Sequence, residues 1–263
     1  MPEGHTIHRL ARDHKKWFVG QHMGLLSPQG RFAAEAAQLD GRKLQDVLAH
    51  GKHLFYKWPG KRYVHVHLGL YGKFRVHKNP APEPRGAVRL RAIGTNRTFD
   101  LNGPNRCELV EHKDYVQTID RLGEDPLRDD ADPERLWNRL SKSRAPIGTL
   151  LLNQSVIAGV GNVYRAEILF LLGINPNRPA LALDRTSFDR MWDLTVELLT
   201  IGVKYNRIIT VPRSPDGPPL SRLNAKERLH IYKKKYCPIC AAPVSDWLLG
   251  NRRIFACENC QSE

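Results

Sequence analysis

The sequence predicts an α+β chain: an N-terminal helix followed by antiparallel strands, a helical second half, and a terminal four-cysteine β-hairpin. Short alternating apolar runs occupy residues 44–100. Apolar positions recur at i, i+3 and i+4 in the second half, and four of the five cysteines follow Tyr236 in two CxxC pairs.

From Thr6 to Phe18, the apolar residues Ile7, Leu10, Ala11, Trp17 and Phe18 fall at helical spacing, with Thr6 as the expected N-cap. Val64-Val66-Leu68 then alternate with His65 and His67, and Val88-Leu90-Ala92 with Arg89 and Arg91. Gly and Pro punctuate these runs, which predicts short antiparallel strands of a sandwich or barrel fragment. Ten carboxylates lie between Glu108 and Glu134, a stretch expected to hold the last sheet connection and an interdomain linker. Pro146 to Asn153 and Val163 to Leu172 are expected as short apolar helices. A longer helix carries Phe188, Met191, Trp192, Thr195, Leu198, Leu199 and Gly202 on one face. Lys204 to Lys235 is a basic loop with nine Lys/Arg against two acids.

The chain has 263 residues, 41 Lys+Arg against 27 Asp+Glu, and a net charge of +14. With 41% hydrophobic and 26% charged residues it has globular composition rather than that of a disordered chain. No apolar run approaches the ~18 residues of a membrane span. The N-terminus lacks the basic-then-apolar pattern of a secretory signal, so a cytoplasmic protein is expected. An excess of this size points to a polyanion, because each phosphate neutralised by Lys or Arg releases counterions. Charge alone does not separate an enzyme from a passive binder.

The cysteines follow C-x2-C-x16-C-x2-C, from Cys237 and Cys240 to Cys257 and Cys260. That spacing suits one tetrahedral zinc ion held by four thiolates, a closed and therefore structural site. Val244 to Leu248, a Gly250-Asn251 turn and Arg253 to Ala256 form the intervening hairpin. Cys107 stands apart and is expected to be a packed thiol. Ala158-Gly159-Val160-Gly161-Asn162 lies between two helices, where glycines permit close backbone approach and a helix N-terminus can meet an anion. Asn162 could cap that helix or bond a phosphate.

Loss of Met1 would leave Pro2 as the terminal residue, with a secondary amine able to form an iminium. An α-amine has a reference pKa of about 7.7–8.0 against about 10.4 for lysine, so more of it is free base at neutral pH. Glu3 beside it could act as general acid or base, although Pro and Glu also suit a helix start on geometry alone.

Four motifs agree in order and distance over nearly the whole chain: Pro2-Glu3-Gly4, Gly51-Lys52-His53-Leu54, Asn153-Gln154 with Gly159-Val160-Gly161-Asn162, and the cysteine ribbon. Together they resemble the formamidopyrimidine-DNA glycosylase and endonuclease VIII family. The resemblance implies an N-terminal helix plus antiparallel β-sandwich, then a helix–two-turn–helix domain ending in a zinc hairpin. The expected divisions are residues 1–125, 126–225 and 226–263. It also implies roles: Pro2 attacks C1′ of a damaged nucleotide, Glu3 protonates and later deprotonates the sugar, and Lys52 contacts phosphate and assists base departure. Asn162 and Arg252 would grip phosphate, and β,δ-elimination would cut the strand. A base in a duplex must leave the stack before chemistry at its sugar, and Leu70 and Tyr71, on a glycine-flanked turn, are candidates to fill the gap.

Pro2-Glu3-Gly4 and Leu70-Tyr71-Gly72 look more like endonuclease VIII, which implies oxidised pyrimidines as substrates. His5-Thr6 departs from the Pro-Glu usual in either branch. The expected activity is therefore a monomeric bifunctional DNA glycosylase/AP lyase acting on oxidised or abasic duplex DNA, with one structural Zn2+. The alternatives are the same chemistry with 8-oxoguanine or formamidopyrimidine preference, and a non-catalytic zinc protein that binds damaged DNA.

Overall fold

Helix α1 spans Gly4–Phe18 in the computed structural model, which describes residues 2–215 and 217–262. Thr6, the expected N-cap, lies inside it. Glu3 holds the N-cap position in extended backbone (φ −121°, ψ −178°) and makes no side-chain cap bond. The helix starts early because the Gly4 N–H finds its acceptor in the Gly159 carbonyl, at 2.8 Å.

The chain divides into two units. One comprises Pro2, Glu3 and Ile7–Arg121; the other comprises Gly4–Thr6 and residues 122–262.

The first unit is a sandwich. One antiparallel sheet has the order β1 (Gly24–Leu26), β6 (Val88–Ile93), β7 (Arg97–Asn102), β5 (Lys73–Lys78). The other has the order β2 (Asp46–His50), β3 (His53–Trp58), β4 (Arg62–His67), β8 (Arg106–Glu111). Two separate sheets settle the choice between sandwich and barrel. Leu90, Phe99 and Leu101 from one sheet and Leu54, Tyr56, Val64 and Val66 from the other join Ile7, Ala11 and Phe18 of α1 in one buried cluster. A short helix, α2 (Ala33–Leu39), adds Ala36 and Leu39 to that cluster. Arg91 alternates with core residues yet is itself buried, because its guanidinium bonds Asp100 on the paired strand at 2.7 and 2.9 Å.

The acidic stretch after Glu108 is not a bare linker. Residues 106–111 form β8, and helix α3 (His112–Asp120) follows at once. Its acids act locally. Glu111 and Asp114 form a reciprocal capping box, satisfying amides that a helix start leaves open.

The second unit contains α4 (Pro133–Leu140), α5 (Ile147–Leu150), α6 (Asn162–Leu171) and α7 (Arg185–Tyr205), then the hairpin β9 (Ser245–Leu249) and β10 (Arg252–Ala256). Asp132 and Asp184 cap α4 and α7 by accepting from Glu134 N and Ser187 N. Of the predicted face of α7, Phe188, Met191, Thr195, Leu198, Leu199 and Gly202 are buried, and Trp192 is half-buried against the same cluster. The Gly250-Asn251 turn has φ of 62° and 59°, the two left-handed residues that a two-residue hairpin loop requires. Within the basic segment α7 runs on to Tyr205, and Leu220–Arg222 makes one short 3-10 turn. Among the described residues no helix is long and apolar enough to cross a membrane.

Candidate active site

Glu3 is fully buried and Pro2 half-buried at the start of α1. Met1, whose removal the Pro2 chemistry requires, lies outside the described residues. Gly4 has no room for a side chain, since a Cβ there would stand 2.7 Å from Gly159 Cα. The N-terminal Pro-Glu-Gly motif and the glycine loop thus meet backbone to backbone at Gly4 and Gly159. His5, the departure noted in the sequence, is 3% exposed, and burial pushes its pKa down to about 4. Its ring meets Tyr164 edge-on at 5.4 Å.

Lys52 lies on the two-residue turn between β2 and β3, closed by the pair His50–His53. Gly51 takes φ 54°, which lets the chain reverse within two residues. Around the turn, the outer face of the sheet gathers imidazoles. His53 Nδ1 lies 2.8 Å from His65 Nε2, and the His53 and His67 rings are 5.0 Å apart. Burial, more than the neighbouring charges, pushes the pKa values of His53 and His65 down to about 3.

Leu70 and Tyr71 lie on the turn between β4 and β5, 55% and 82% exposed. They are therefore not core strand residues. Gly69 takes φ 64°, and Gly72 N donates to the Leu68 carbonyl at 3.0 Å, so glycines shape both ends of the turn.

In the second unit the loop between α5 and α6 is closed by one side chain. Gln154 Nε2 donates to the carbonyls of Leu152 and Val160, both at 2.9 Å, and its Oε1 accepts from Gly159 N at 3.0 Å. Gly161 is the N-cap of α6, so Asn162 begins the helix and does not cap it. Asn162 is buried, and its Nδ2 donates to the Arg253 carbonyl at 2.8 Å. Arg165, fully buried, donates from Nη2 to Asn162 Oδ1 at 2.6 Å and to the Arg252 carbonyl at 3.3 Å. From Nη1 it reaches the Leu249 carbonyl at 2.9 Å and the Gly148 carbonyl at 3.1 Å. The helix start and the hairpin tip are thereby fixed to each other, which brings Asn162 and Arg252 together. The Arg252 side chain is exposed. Arg253 pairs with Asp246 across the hairpin.

The four thiols Cys237, Cys240, Cys257 and Cys260 lie within 4.8 Å of one another. Cys237 and Cys260 sulfurs are 3.7 Å apart, and those of Cys240 and Cys257 are 3.5 Å apart. Disulfide sulfurs would stand about 2.05 Å apart. Bonds of about 2.3 Å to one tetrahedral ion place sulfurs about 3.8 Å apart, so the set fits a metal ion. No other such group of His, Cys, Asp or Glu occurs among the described residues. Cys107 is the packed thiol expected, 5% exposed, with burial pushing its pKa up to about 12.

Three features escape a reading of the sequence. Arg165 and Glu167 look like outward charges on an apolar helix, yet both are fully buried. Glu167 accepts from Thr210 Oγ1 at 2.5 Å and from the amides of His230, Ile231 and Tyr232 at 2.7–2.9 Å, tying both ends of the basic loop to α6. Their place within a helix expected to be apolar is the one available signal. The third is the His53–His65 contact, which requires the strand register.

Comparison with known proteins places these motifs in context. The formamidopyrimidine-DNA glycosylase N-terminal domain model matches residues 1–107, and the formamidopyrimidine-DNA glycosylase H2TH domain model matches residues 122–213. Endonuclease 8 1 of Mycobacterium tuberculosis is 45% identical, covering 100% of both chains. A formamidopyrimidine-DNA glycosylase of Thermus thermophilus is 30% identical, covering 86% of this chain and 85% of its own. The fold matches that of Lactococcus lactis Fpg, solved as a complex with DNA containing an abasic site. Its TM-score is 0.81 at 23% identity, over 99% of this chain and 100% of that one. With both domain models matched in order and a relative this similar along its full length, the chain belongs to the formamidopyrimidine-DNA glycosylase and endonuclease 8 family.

Proposed function

We propose that this protein is a bifunctional DNA glycosylase/AP lyase that removes oxidised bases, pyrimidines in preference, from duplex DNA and then cuts the strand. The observation that carries the reading is Pro2-Glu3: a proline that becomes a secondary amine on loss of Met1, next in sequence to a carboxylate that is fully buried at a helix start. The whole-chain similarity to Endonuclease 8 1 supports the pyrimidine preference.

The lone pair of the Pro2 nitrogen bonds C1′ as the C1′–base bond breaks and the electron pair leaves with the base, which takes up a proton. Glu3 protonates the ring oxygen, the sugar opens, and the Pro2 nitrogen, having lost its proton, is left as an iminium on C1′. Glu3 then removes a proton from C2′, which expels the 3′ phosphate; a second elimination expels the 5′ phosphate. Lys52 neutralises phosphate charge and assists base departure. Leu70 and Tyr71 fill the stack that the flipped nucleotide vacates. Asn162 and Arg252 hold the backbone, an arginine being suited to two-pronged phosphate contact. The four cysteines hold one Zn2+, which fixes the hairpin and takes no part in the chemistry.

Borohydride trapping tests the reading. Protein freed of Met1 is mixed with duplexes carrying thymine glycol, dihydrouracil, 8-oxoguanine or an abasic site. Covalent adducts strongest on the two pyrimidine lesions are expected. A ranking led by 8-oxoguanine would move the substrate class, and no adduct on any duplex would leave a non-catalytic binder.

A further inference from the structure

Both residues that close the Lys52 turn are histidines, and the second continues into a side-chain chain of its own. His53 pairs in register with His67 on β4, and its Nδ1 reaches diagonally to Nε2 of His65 at 2.8 Å. Two imidazole nitrogens at that distance share one proton, so one ring donates and the other accepts. Behind the pair the face is packed. His65 is 1% exposed and its ring stacks on Phe55, with centroids 4.4 Å and planes 20° apart. Phe55 meets Tyr115 of α3 edge-on at 4.9 Å, and Tyr115 stacks on Tyr63 at 4.4 Å. Rotation of His53 would break the shared bond and disturb this aromatic layer.

The groups facing the pair are mostly cationic or neutral. They are Lys52 and His50 at the turn, His67 on β4, Arg106 and Glu108 on β8, and Tyr115 on α3. Burial holds His53 and His65 uncharged, and the charges of Lys52 and Arg106 act on His53 in the same direction. Protonation of both rings would set two N–H groups against each other, losing the bond.

We propose that the His53–His65 hydrogen bond is a positioning device for Lys52, fixing the residue that follows the lysine so that the ammonium is presented from a rigid support. This rests on the reading that Lys52 assists base departure. A misplacement of about 1 Å in a catalytic group lowers rates by up to about 100-fold, which sets the size of the effect.

The test uses the full-length, zinc-loaded protein on thymine glycol and abasic duplexes. His65→Phe keeps a ring on Phe55 and removes the shared bond, whereas His65→Gln keeps a donor and an acceptor. His65→Phe is expected to lower kcat for base excision roughly 10- to 100-fold with KM within about two-fold, while trapping on abasic DNA persists. His65→Gln should recover most of that loss. In a Lys52→Met background, His65→Phe should cost nothing further. If Lys52→Met alone leaves excision unchanged, the reading of Lys52 fails. If Lys52→Met slows excision but His65→Phe has no effect, or adds fully to it, the positioning proposal fails. Should His65→Phe not fold, His53→Phe, at a half-buried ring, carries the same comparison. Imidazole 15N spectra give a second readout. One of the facing nitrogens should carry a proton and the other none from pH 5 to 8, and a proton on both or on neither in that range would overturn the proposal.

Discussion

Arg165 and Asn162 are bound side chain to side chain, Nη2 to Oδ1 at 2.6 Å, one turn apart at the start of α6. The same guanidinium holds the Leu249 and Arg252 carbonyls on either side of the hairpin turn. A buried cation thus orients two residues that we assign to phosphate. Arg165→Met should strip charged hydrogen bonds from acceptors that are partly buried, a loss of about 2–4 kcal/mol in stability. DNA affinity should fall with it, by at least about ten-fold, because Asn162 and Arg252 lose their common support. Fluorescence anisotropy on an abasic duplex reads the affinity. Wild-type binding by a folded Arg165→Met protein would remove the coupling.

Gly202 sits inside α7, where alanine is ordinarily better by about 1 kcal/mol. Here a Cβ would stand 2.8 Å from both Cβ and Cγ of His5 and would overlap the Tyr164 hydroxyl. Overpacking of this kind costs about 1–3 kcal/mol, so the steric penalty wins. Gly202→Ala should lower the thermal midpoint, and Tyr164→Phe in the same chain should recover part of the loss. A stabilised Gly202→Ala protein would contradict the packing.

The parts that were legible in the sequence share a cause. The face of α7, the strands around Val64 and Val88, and the Gly250-Asn251 turn follow from periodicity and backbone chemistry within a few residues of each other. The N-terminal acids of helix α3 resemble a solvated linker in the sequence, and only the Glu111–Asp114 spacing marks a capping box. Local sequence puts the start of α1 at Thr6, whereas the helix begins at Gly4 because its N–H is satisfied by Gly159, a partner 155 positions away. His65 and Arg91 alternate with core residues and should face water; aromatic stacking on Phe55 buries one and Asp100 the other. Long-range partners of polar groups are what a single sequence conceals.

Three buried histidines and the half-buried His53 make stability depend on acid. Burial above all pushes His5 down to about 4, and His14, His53 and His65 down to about 3, from 6.5. With each folded pKa below the unfolded one, the unfolded chain binds more protons from pH 6.5 down to about 3. Stability is then complete above pH 6.5 and lost as pH falls through that window, by up to about 1.4 kcal/mol per pH unit for each group. Urea unfolding at pH 7.5, 6 and 5 should show a steepening loss. His14 stacks on Phe99 at 4.8 Å, so His14→Phe should flatten the dependence by about one proton. Equal stability at pH 7.5 and 5 would show that these rings are not held neutral.

Leu70 and Tyr71 are the cleanest test of base extrusion, because their exposure separates stability from function. Leu70→Ala and Tyr71→Ala should leave the thermal midpoint unchanged. Excision of thymine glycol should fall by roughly 5- to 150-fold, the equivalent of a lost stacking interaction of about 1–3 kcal/mol. An abasic site has no base to extrude, so its cleavage should suffer less. Equal losses on both substrates would point to general DNA binding instead of stack filling.

Zinc removal should act on binding before it acts on chemistry. Cys257 is fully buried in a small cluster with Ala166, Phe170 and Ile254, and its N–H donates to Gln261 Oε1 at 2.9 Å. Cys257 therefore packs β10 against α6, the helix that carries Asn162 and Arg165. Cys257→Ser, or chelation, should lower the thermal midpoint and weaken DNA binding together. Binding should also lose part of its salt dependence, since the slope of log affinity against log salt counts the phosphates neutralised, one of which we assign to Arg252. Pro2 and Glu3 lie outside the hairpin, so borohydride trapping on abasic DNA should persist at raised protein concentration. Unchanged affinity and salt slope after complete zinc loss would separate Arg252 from phosphate recognition and leave the hairpin a purely structural element.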